Sequence, residues 1–285
     1  MREERLAVLG AGTMGHGIAQ VAAMAGYATL LFDVDAAALD AALLRVEANL
    51  RTGVEKGKVE SDTMASALDH LTVVEDLDRA AEGASVIVEA APEKLDLKRD
   101  LFARCAEVAG PRALLASNTS SLSISRIADG IPSPERVVGM HFFNPVHIMA
   151  LVEIVRGRDT SDETVERARA VAERLGKTPI VVKDSPGFAS SRLGIALGLE
   201  AIRMVEEGVA SPEDIDTAMT LGYRHPMGPL RLTDLVGLDV RLDIARYLHD
   251  ELGSSRFEPP ALLERMVDEG KLGKKSGEGF YRWEP

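Results

Sequence analysis

Residues 5–15 read Arg5-Leu6-Ala7-Val8-Leu9-Gly10-Ala11-Gly12-Thr13-Met14-Gly15. The apolar run is typical of a buried parallel strand, and apolar positions recurring at helical spacing after the glycines predict a helix. Strand, glycine-rich turn and helix in this order form a dinucleotide-binding fingerprint. Gly10 permits the tight turn, Gly12 lets the backbone approach a pyrophosphate, and Gly15 lets helix and strand pack closely. The turn, with Thr13 and Met14, leaves N–H groups and the positive helix end facing the phosphates.

Asp33 follows a second short apolar run, residues 28–32, and stands 18 residues after Gly15. A carboxylate at the end of the second strand accepts hydrogen bonds from both hydroxyls of an adenosine ribose. It would repel a 2′-phosphate, so the sequence favours NAD over NADP as the cofactor. The alternative is a glycine-rich turn that binds no ligand. The strand, the helix and the acid at this spacing are nearly independent requirements of a dinucleotide site, so their joint presence favours the NAD interpretation.

Composition narrows the class of protein. The chain has 285 residues, 46% of them hydrophobic, which is typical of a globular protein with two domains. A net charge of −12 argues against a nucleic-acid or anionic-membrane partner. The first strand follows soon after Met1 and no apolar run approaches a bilayer's thickness, so we expect a cytoplasmic protein.

The chain has a single cysteine, Cys105, which can form neither an internal disulfide nor a cluster of thiolate metal ligands. We expect Cys105 to be a core residue within a helix, and we expect no metal site.

Short apolar runs alternate with helical patterns through residues 5–9, 28–32, 71–74, 85–89 and 113–116. This alternation is typical of βαβ units and a parallel sheet. Further runs that we expect to extend the sheet lie at residues 137–141, 150–155 and 179–182. The sequence therefore predicts an α/β fold with a doubly wound, Rossmann-like NAD-binding domain over residues 1–184.

Residues 185–285 show no convincing strand and predict an all-helical C-terminal domain for substrate binding and dimerisation. Within it, residues 187–207 are apolar on most sides, which predicts a helix buried around most of its circumference. A small helical domain cannot easily cover so much apolar surface. We therefore expect a homodimer joined through the C-terminal domain.

Three segments carry candidate chemistry at the carboxyl ends of the predicted strands, where such sheets bind ligands. Residues 117–121 offer hydroxyl and amide donors to a polar substrate, although they equally suit a simple helix cap. His141 ends a strand between large apolar residues; a lone histidine there is more often part of the core. Glu153 lies in an otherwise apolar strand and needs a partner if it is buried. Paired with His141, it would make a base that takes a proton from an alcohol as hydride leaves for nicotinamide.

Four separated segments resemble the L-3-hydroxyacyl-CoA dehydrogenase family, in particular its short bacterial 3-hydroxybutyryl-CoA type. They agree with it in order and spacing over essentially the whole chain, and they read Ser117-Asn118-Thr119-Ser120-Ser121-Leu122, His141-Phe142-Phe143-Asn144-Pro145, Pro226-Met227-Gly228-Pro229 and Gly273-Lys274-Lys275-Ser276-Gly277-Glu278-Gly279-Phe280-Tyr281. The resemblance implies that His141 is the general base, that Glu153 orients it and that Ser120 donates a hydrogen bond to the reacting oxygen. It places Asn118 beside the nicotinamide, and it implies that the NAD site is bordered by Glu93, Lys98 and Lys275.

The resemblance further implies that Asn49 and Lys56, on one helix, face coenzyme A. The basic residues Arg51, Lys56 and Lys58 agree, because an acidic chain needs local positive charge to bind phosphates. A solvated helix face is the alternative for this group. The chain departs from the family at Ser191, because the family usually has an asparagine there that contacts the substrate. This difference leaves open which substrates the protein accepts.

The sequence thus predicts NAD-dependent, reversible oxidation of an L-3-hydroxyacyl-CoA, of short chain such as 3-hydroxybutyryl-CoA, to the 3-oxoacyl-CoA. A dehydrogenase of a free hydroxy acid or sugar acid on the same fold is the nearest alternative. The alternative from another class is a non-catalytic NAD-sensing or structural protein that retains the fold. In such a protein His141 and Glu153 would have no catalytic purpose.

Overall fold

A computed structural model describes residues 4–284 of the chain. The chain divides into two compact units between Ser185 and Pro186. The first unit is an α/β layer structure and the second is helical, as the sequence predicts.

The first unit is built on a single sheet of eight strands. Seven strand pairings follow the order β3-β2-β1-β4-β5-β6-β7-β8, in which the chain winds outward from β1 in both directions. The strands are β1 Arg5–Leu9, β2 Ala28–Phe32, β3 Leu71–Val74, β4 Val86–Glu89, β5 Leu114–Ser117, β6 Val137–Phe142, β7 Leu151–Arg156 and β8 Thr178–Lys183. The doubly wound fold is confirmed, and the carboxyl ends of the parallel strands meet at one edge of the sheet.

One pairing departs from the parallel pattern, because β6 and β7 run antiparallel. The short connection between residues 143 and 150 explains this, since a parallel return would need a crossover of a dozen or more residues. In the observed register His141 stands directly opposite Glu153.

Helices cover both faces of the sheet, as a mostly parallel sheet requires. They are α1 Gly15–Met24, α2 Ala36–Glu55, α3 Ser61–Asp69, α4 Leu77–Ala81, α5 Leu95–Val108, α6 Ile124–Ala128 and α7 Asp162–Arg174. Cys105 is fully buried on α5, and burial followed by the charge of Asp78 raises the pKa of its thiol to about 12. The thiol is therefore protonated at neutral pH and serves as a core residue.

The second unit consists of helices around its own apolar core. They are α8 Ser190–Glu206, α9 Pro212–Thr217, α10 Pro229–Val236, α11 Leu238–Leu252 and α12 Ala261–Asp268. Between Pro186 and Glu284 the structure has no strand longer than isolated bridges, at Gly273, Glu278 and Arg282. The predicted all-helical character is confirmed.

The prediction that residues 187–207 are buried around most of the helix is wrong within a single chain. On α8 the buried side is formed by Ile195, Leu199 and Ile202, whereas Leu193 is 71% exposed and Leu197 is 36% exposed. The core of the second unit packs against one stripe of the helix, so a second apolar stripe remains open.

Candidate active site

The glycine-rich turn has the geometry that a pyrophosphate needs. Gly10 has a φ of +105°, and a side chain at Gly15 would collide with the carbonyl oxygen of Gly10. A Cβ at Gly12 would meet no atom within 4 Å, which leaves open space in front of that backbone. No side chain caps the N-terminus of α1 around Met14. These residues fit the diphosphate of a dinucleotide, because the helix start offers unoccupied backbone donors and a positive dipole end.

Asp33 is fixed beside this turn. Its Oδ2 accepts a hydrogen bond of 2.7 Å from the backbone N–H of Ala11, and its Oδ1 accepts one of 3.1 Å from Asp35. The carboxylate thus stands at the end of β2, next to the turn, where it suits the ribose hydroxyls of NAD.

His141 and Glu153 form a buried pair at the antiparallel junction. The imidazole Nδ1 lies 2.8 Å from Oε2 of Glu153, whose side chain is fully buried while His141 is 7% exposed. Opposite residues of neighbouring strands point to the same face of the sheet, so the β6–β7 register creates this contact. The ring of Phe143 packs against the imidazole at a centroid distance of 4.6 Å.

This arrangement fixes the role of each ring nitrogen of His141. An ionised carboxylate only accepts hydrogen bonds, so Nδ1 carries a proton toward Glu153 and Nε2 is the basic nitrogen. The buried carboxylate also stabilises the imidazolium that forms when Nε2 takes a proton. The pair is chemically suited to general base and acid catalysis.

The loop after β5 brings two more predicted residues to the same place. Oδ1 of Asn118 accepts a hydrogen bond of 2.9 Å from the backbone N–H of Phe142, which ties this loop to the end of β6. Asn118, Ser120 and His141 line one cavity of about 360 Å³. Predicted residues that also line this cavity are Met14, Glu93 and Lys98.

Glu93 organises the loop that carries Ser120. One oxygen of this carboxylate accepts hydrogen bonds from the hydroxyl of Thr119 and from the backbone N–H groups of Ser120 and Ser121. Burial alone would raise the pKa of Glu93, but the hydrogen bond from Thr119 and the charge of Lys98 outweigh it and hold the pKa below its usual value. Glu93 is therefore ionised at neutral pH and holds the loop as a charged acceptor.

Glu89 is a buried carboxylate next to the candidate site that the sequence analysis missed. It ends β4, is fully buried, and accepts hydrogen bonds of 2.7 Å from Lys98 and 2.6 Å from Ser117. Lys98 lies 3.2 Å from Glu93 as well, so its ammonium group joins the two carboxylates. The signal that identified Glu153, an acid in an otherwise apolar strand, is also present in Val-Ile-Val-Glu at residues 86–89.

A second, larger cavity of about 690 Å³ lies on the same unit beside α2. Asn49 and Lys56 both line it, as does Lys58. Arg51 does not line it; its guanidinium pairs with Glu47 at 2.5 Å on the exposed side of the helix. The predicted basic group thus loses one member, because Arg51 follows Asn49 by two residues, which places it on the opposite side of α2. Further basic side chains that line this cavity are His147, Arg174 and Lys177.

Two predicted residues belong to the second unit. Ser191 lies in the first turn of α8. Nζ of Lys275 lies 2.6 Å from Oδ2 of Asp239, and this hydrogen bond together with the lysine's charge holds the pKa of Asp239 below its usual value despite burial.

Two further features bear on the class of protein, within residues 4–284. No helix there combines the length and apolar character that crossing a bilayer requires. No cluster of three or more His, Cys, Asp or Glu side chains in that range could hold a metal ion.

Comparison with known proteins identifies relatives over the full chain. Residues 5–185 match the profile described as "3-hydroxyacyl-CoA dehydrogenase, NAD binding domain", and residues 187–283 match that family's C-terminal domain. A Bacillus subtilis protein named "Probable 3-hydroxybutyryl-CoA dehydrogenase" is 45% identical over 100% of this chain and 99% of its own. The Escherichia coli 3-hydroxyadipyl-CoA dehydrogenase is 44% identical over 98% of this chain and 59% of its own.

A solved structure shows the same architecture. The crystal structure of (S)-3-hydroxybutyryl-CoA dehydrogenase from Ralstonia eutropha matches with a TM-score of 0.94 and 39% identity, covering 99% of this chain and 100% of that one. The N-terminal profile describes an NAD-binding domain, in agreement with the dinucleotide turn, and both profiles describe a dehydrogenase, which is an oxidoreductase. The chain belongs to the 3-hydroxyacyl-CoA dehydrogenase family.

Proposed function

We propose that this enzyme interconverts a short-chain L-3-hydroxyacyl-CoA and the 3-oxoacyl-CoA, with NAD as the redox partner. The single observation that carries the proposal is the 2.8 Å pair of His141 and Glu153 at the cavity that also contains Asn118 and Ser120. An alcohol can be oxidised there only if its hydroxyl proton is removed, and this pair supplies the base.

In the proposed reaction Nε2 of His141 takes the proton of the 3-hydroxyl group. Glu153 holds the ring by Nδ1 and stabilises its positive charge. The hydroxyl of Ser120 donates a hydrogen bond to the reacting oxygen as it becomes a carbonyl oxygen. NAD, when bound, would supply the acceptor for the hydride of C3, and Asn118, Glu93, Lys98 and Lys275 would border it. In the reverse direction the imidazolium of His141 returns the proton.

The cavity beside α2 suits coenzyme A. Lys56 and Lys58 bring positive charge to a wall that also has the amide of Asn49, held by a hydrogen bond of 3.1 Å to Gln20. Phosphates are bound by such groups, and a chain of net charge −12 would otherwise repel them. At Ser191 a water molecule would bridge the shorter side chain to the substrate, since bridging waters retain most of a hydrogen bond's energy.

We also propose that the enzyme is a homodimer joined through its second unit. Exposed Leu193 and Leu197 form the open stripe of α8, and α10, which packs against α8, exposes Leu232 and Leu235. Apolar stripes of this kind on neighbouring helices are typical of homodimer interfaces.

The decisive experiment follows NADH oxidation with acetoacetyl-CoA and with free acetoacetate. We expect turnover of the CoA ester and a loss of at least tenfold in kcat/KM for the free acid, because the acid lacks the groups that bind beside α2. Lys56→Ala should raise KM for acetoacetyl-CoA several-fold with little change in kcat. Arg51→Ala, which removes a positive charge from the side of α2 opposite Asn49, is the matched control. Equal turnover of ester and acid would favour the free hydroxy acid dehydrogenase instead.

A further inference from the structure

His147 lies in the loop between β6 and β7, and the mechanism above does not use it. Its side chain is half-buried and lines the cavity beside α2. In the part of the chain that the structure describes, neither ring nitrogen of His147 has a hydrogen-bond partner. The imidazole is therefore available to a ligand that enters this cavity.

The backbone on both sides of His147 is fixed. Val146 packs against α1, where a Cβ at Gly17 would lie 2.9 Å from the Cβ of Val146. Nζ of Lys177 donates hydrogen bonds to the carbonyl oxygen of Val146 and, at 2.9 Å, to that of Met149. His147 thus has a defined position on the wall of the cavity, and a ligand would not have to order this loop in order to reach the imidazole.

The charges near His147 are positive. Within residues 4–284 every titratable side chain that lines the cavity is basic, and these side chains are Lys56, Lys58, His147, Arg174 and Lys177. The groups that face His147 most directly are Lys177, just before β8, and His16 on α1. Arg174 is already paired with Glu4, but the three lysines have no ion pair within the same range of residues. A concave surface with this charge attracts anions.

The same surroundings set the charge of His147 in the free protein. Burial, followed by the charges of His16 and Lys177, lowers the pKa of the imidazole below its usual value. His147 is therefore mostly neutral at pH 7 when no anion is bound. A phosphate group beside the ring would raise this pKa again, because a nearby opposite charge favours the charged form.

We propose that the imidazole of His147 binds a phosphate group of coenzyme A and takes up a proton from solvent as it does so. The inference rests on the proposed function and deepens it, because it assigns a phosphate ligand from the β6–β7 loop, across the cavity from α2. The protonated ring would donate a charge-assisted hydrogen bond to a phosphate oxygen, which is roughly twice as strong as a neutral one. Lys56 and Lys58 would contact the phosphates from the turn after α2.

Proton uptake makes the binding of coenzyme A depend on pH. Because the bound state has the higher pKa at His147, the affinity should increase as the pH falls from about 8 to about 6. A pKa that binding raises by one unit changes Kd by about tenfold across this range. His16 and the phosphate itself also titrate there, so the comparison must be made with a variant that keeps both.

The test is calorimetric titration of coenzyme A into wild-type protein and His147→Gln at several pH values. We expect the Kd of the wild type to rise with pH by about tenfold more than that of the variant. At about pH 7 the wild type should also take up more protons per bound coenzyme A, as measured in buffers of different ionisation enthalpy. His147→Lys, which stays charged, should bind more tightly than His147→Gln at about pH 8 and show no greater dependence on pH.

Two comparisons sharpen the result. His70→Gln removes a histidine of the same unit that does not line the cavity, so it should keep the pH dependence of the wild type. With 3′-dephospho-CoA, loss of the part that depends on His147 assigns the contact to the 3′-phosphate, and its retention assigns the contact to the diphosphate.

The outcomes separate the role of His147 from the proposed function. If wild type and His147→Gln bind coenzyme A with the same dependence on pH and the same proton uptake, the role of His147 is overturned alone. If the wild type binds no coenzyme A at any pH, both are overturned. If His147→Gln fails to fold, the difference in proton uptake between wild type and His147→Lys decides the matter.

Discussion

At the scale of single residues, the chemistry depends on a few groups whose charge is set by their neighbours. His141 owes its proposed role to Glu153, since the carboxylate orients the ring and stabilises its protonated form. Glu93 is kept ionised by donors from the loop that it organises. Each of these side chains acts through a partner, so single substitutions should affect more than one residue.

The proposed pair is tested by a double-mutant cycle. His141→Ala should lower kcat by about 10²- to 10⁴-fold, the usual contribution of a general base, with little change in NAD affinity. Glu153→Gln should cause much of the same loss, because it removes the charge that supports the imidazolium. The double variant should lose little more than His141→Ala alone. Losses in kcat that multiply would show that the two residues act separately.

Sequence reasoning found some of these residues and missed others for physical reasons. His141 and Glu153 were recognisable because polar groups stand out in apolar strands, and Glu89 carries the same signal. The burial of Arg241 on α11 gives no such signal, because an arginine in an amphipathic helix is ordinarily solvated.

At the scale of elements, the strands were predictable because buried parallel strands are short runs of apolar, β-branched residues bounded by turns. The expectation that Cys105 lies on the core side of a helix is also confirmed, since Cys105 is buried on Leu95–Val108. The exposure of Leu193 could not be predicted, because helical periodicity shows which sides of a helix are apolar but not which of those sides the chain covers. The network at the end of β4 is likewise a product of neighbouring elements, because Glu89, Lys98 and Ser117 come from β4, α5 and β5.

This network should make Glu89 important for both stability and turnover. Glu89→Gln leaves the ammonium of Lys98 with Glu93 alone, so we expect the free energy of unfolding to fall by about 3 kcal/mol, the lower end for breaking a buried ion pair. We also expect kcat to fall, because Ser117, just before the loop that carries Ser120, loses its charged acceptor. Urea unfolding and steady-state kinetics measure the two effects.

Glu47→Gln is the control for Glu89→Gln, because it breaks the exposed pair with Arg51. An exposed pair contributes at most about 1 kcal/mol, so this variant should unfold nearly as the wild type does and keep its kcat. Equal effects of the two substitutions would contradict the role assigned to Glu89.

At the scale of the whole molecule, the open stripe of α8 predicts self-association. Light scattering at micromolar concentration should give about twice the chain mass of 30.6 kDa. Leu193→Glu should yield a monomer, because burying a carboxylate in an apolar interface is unfavourable. Leu44→Glu is the control, since Leu44 is 68% exposed on the first unit. A wild-type mass near that of one chain would contradict the homodimer.

The outermost strand, β8, has a further consequence for behaviour in a crowded solution. Unpaired backbone groups along the border of a sheet can recruit a strand from another molecule, and Ile180 and Val181 would make such pairing attractive here. The backbone N–H of Thr178 points into the sheet and donates to the carbonyl oxygen of Ala150. Successive backbone nitrogens of a strand point to opposite sides, so the nitrogen of Pro179 faces the outer border, where proline has no hydrogen to donate. Lys183 closes the strand with a charge, so this border combines a missing donor with a charged end, two features that oppose the addition of a further strand.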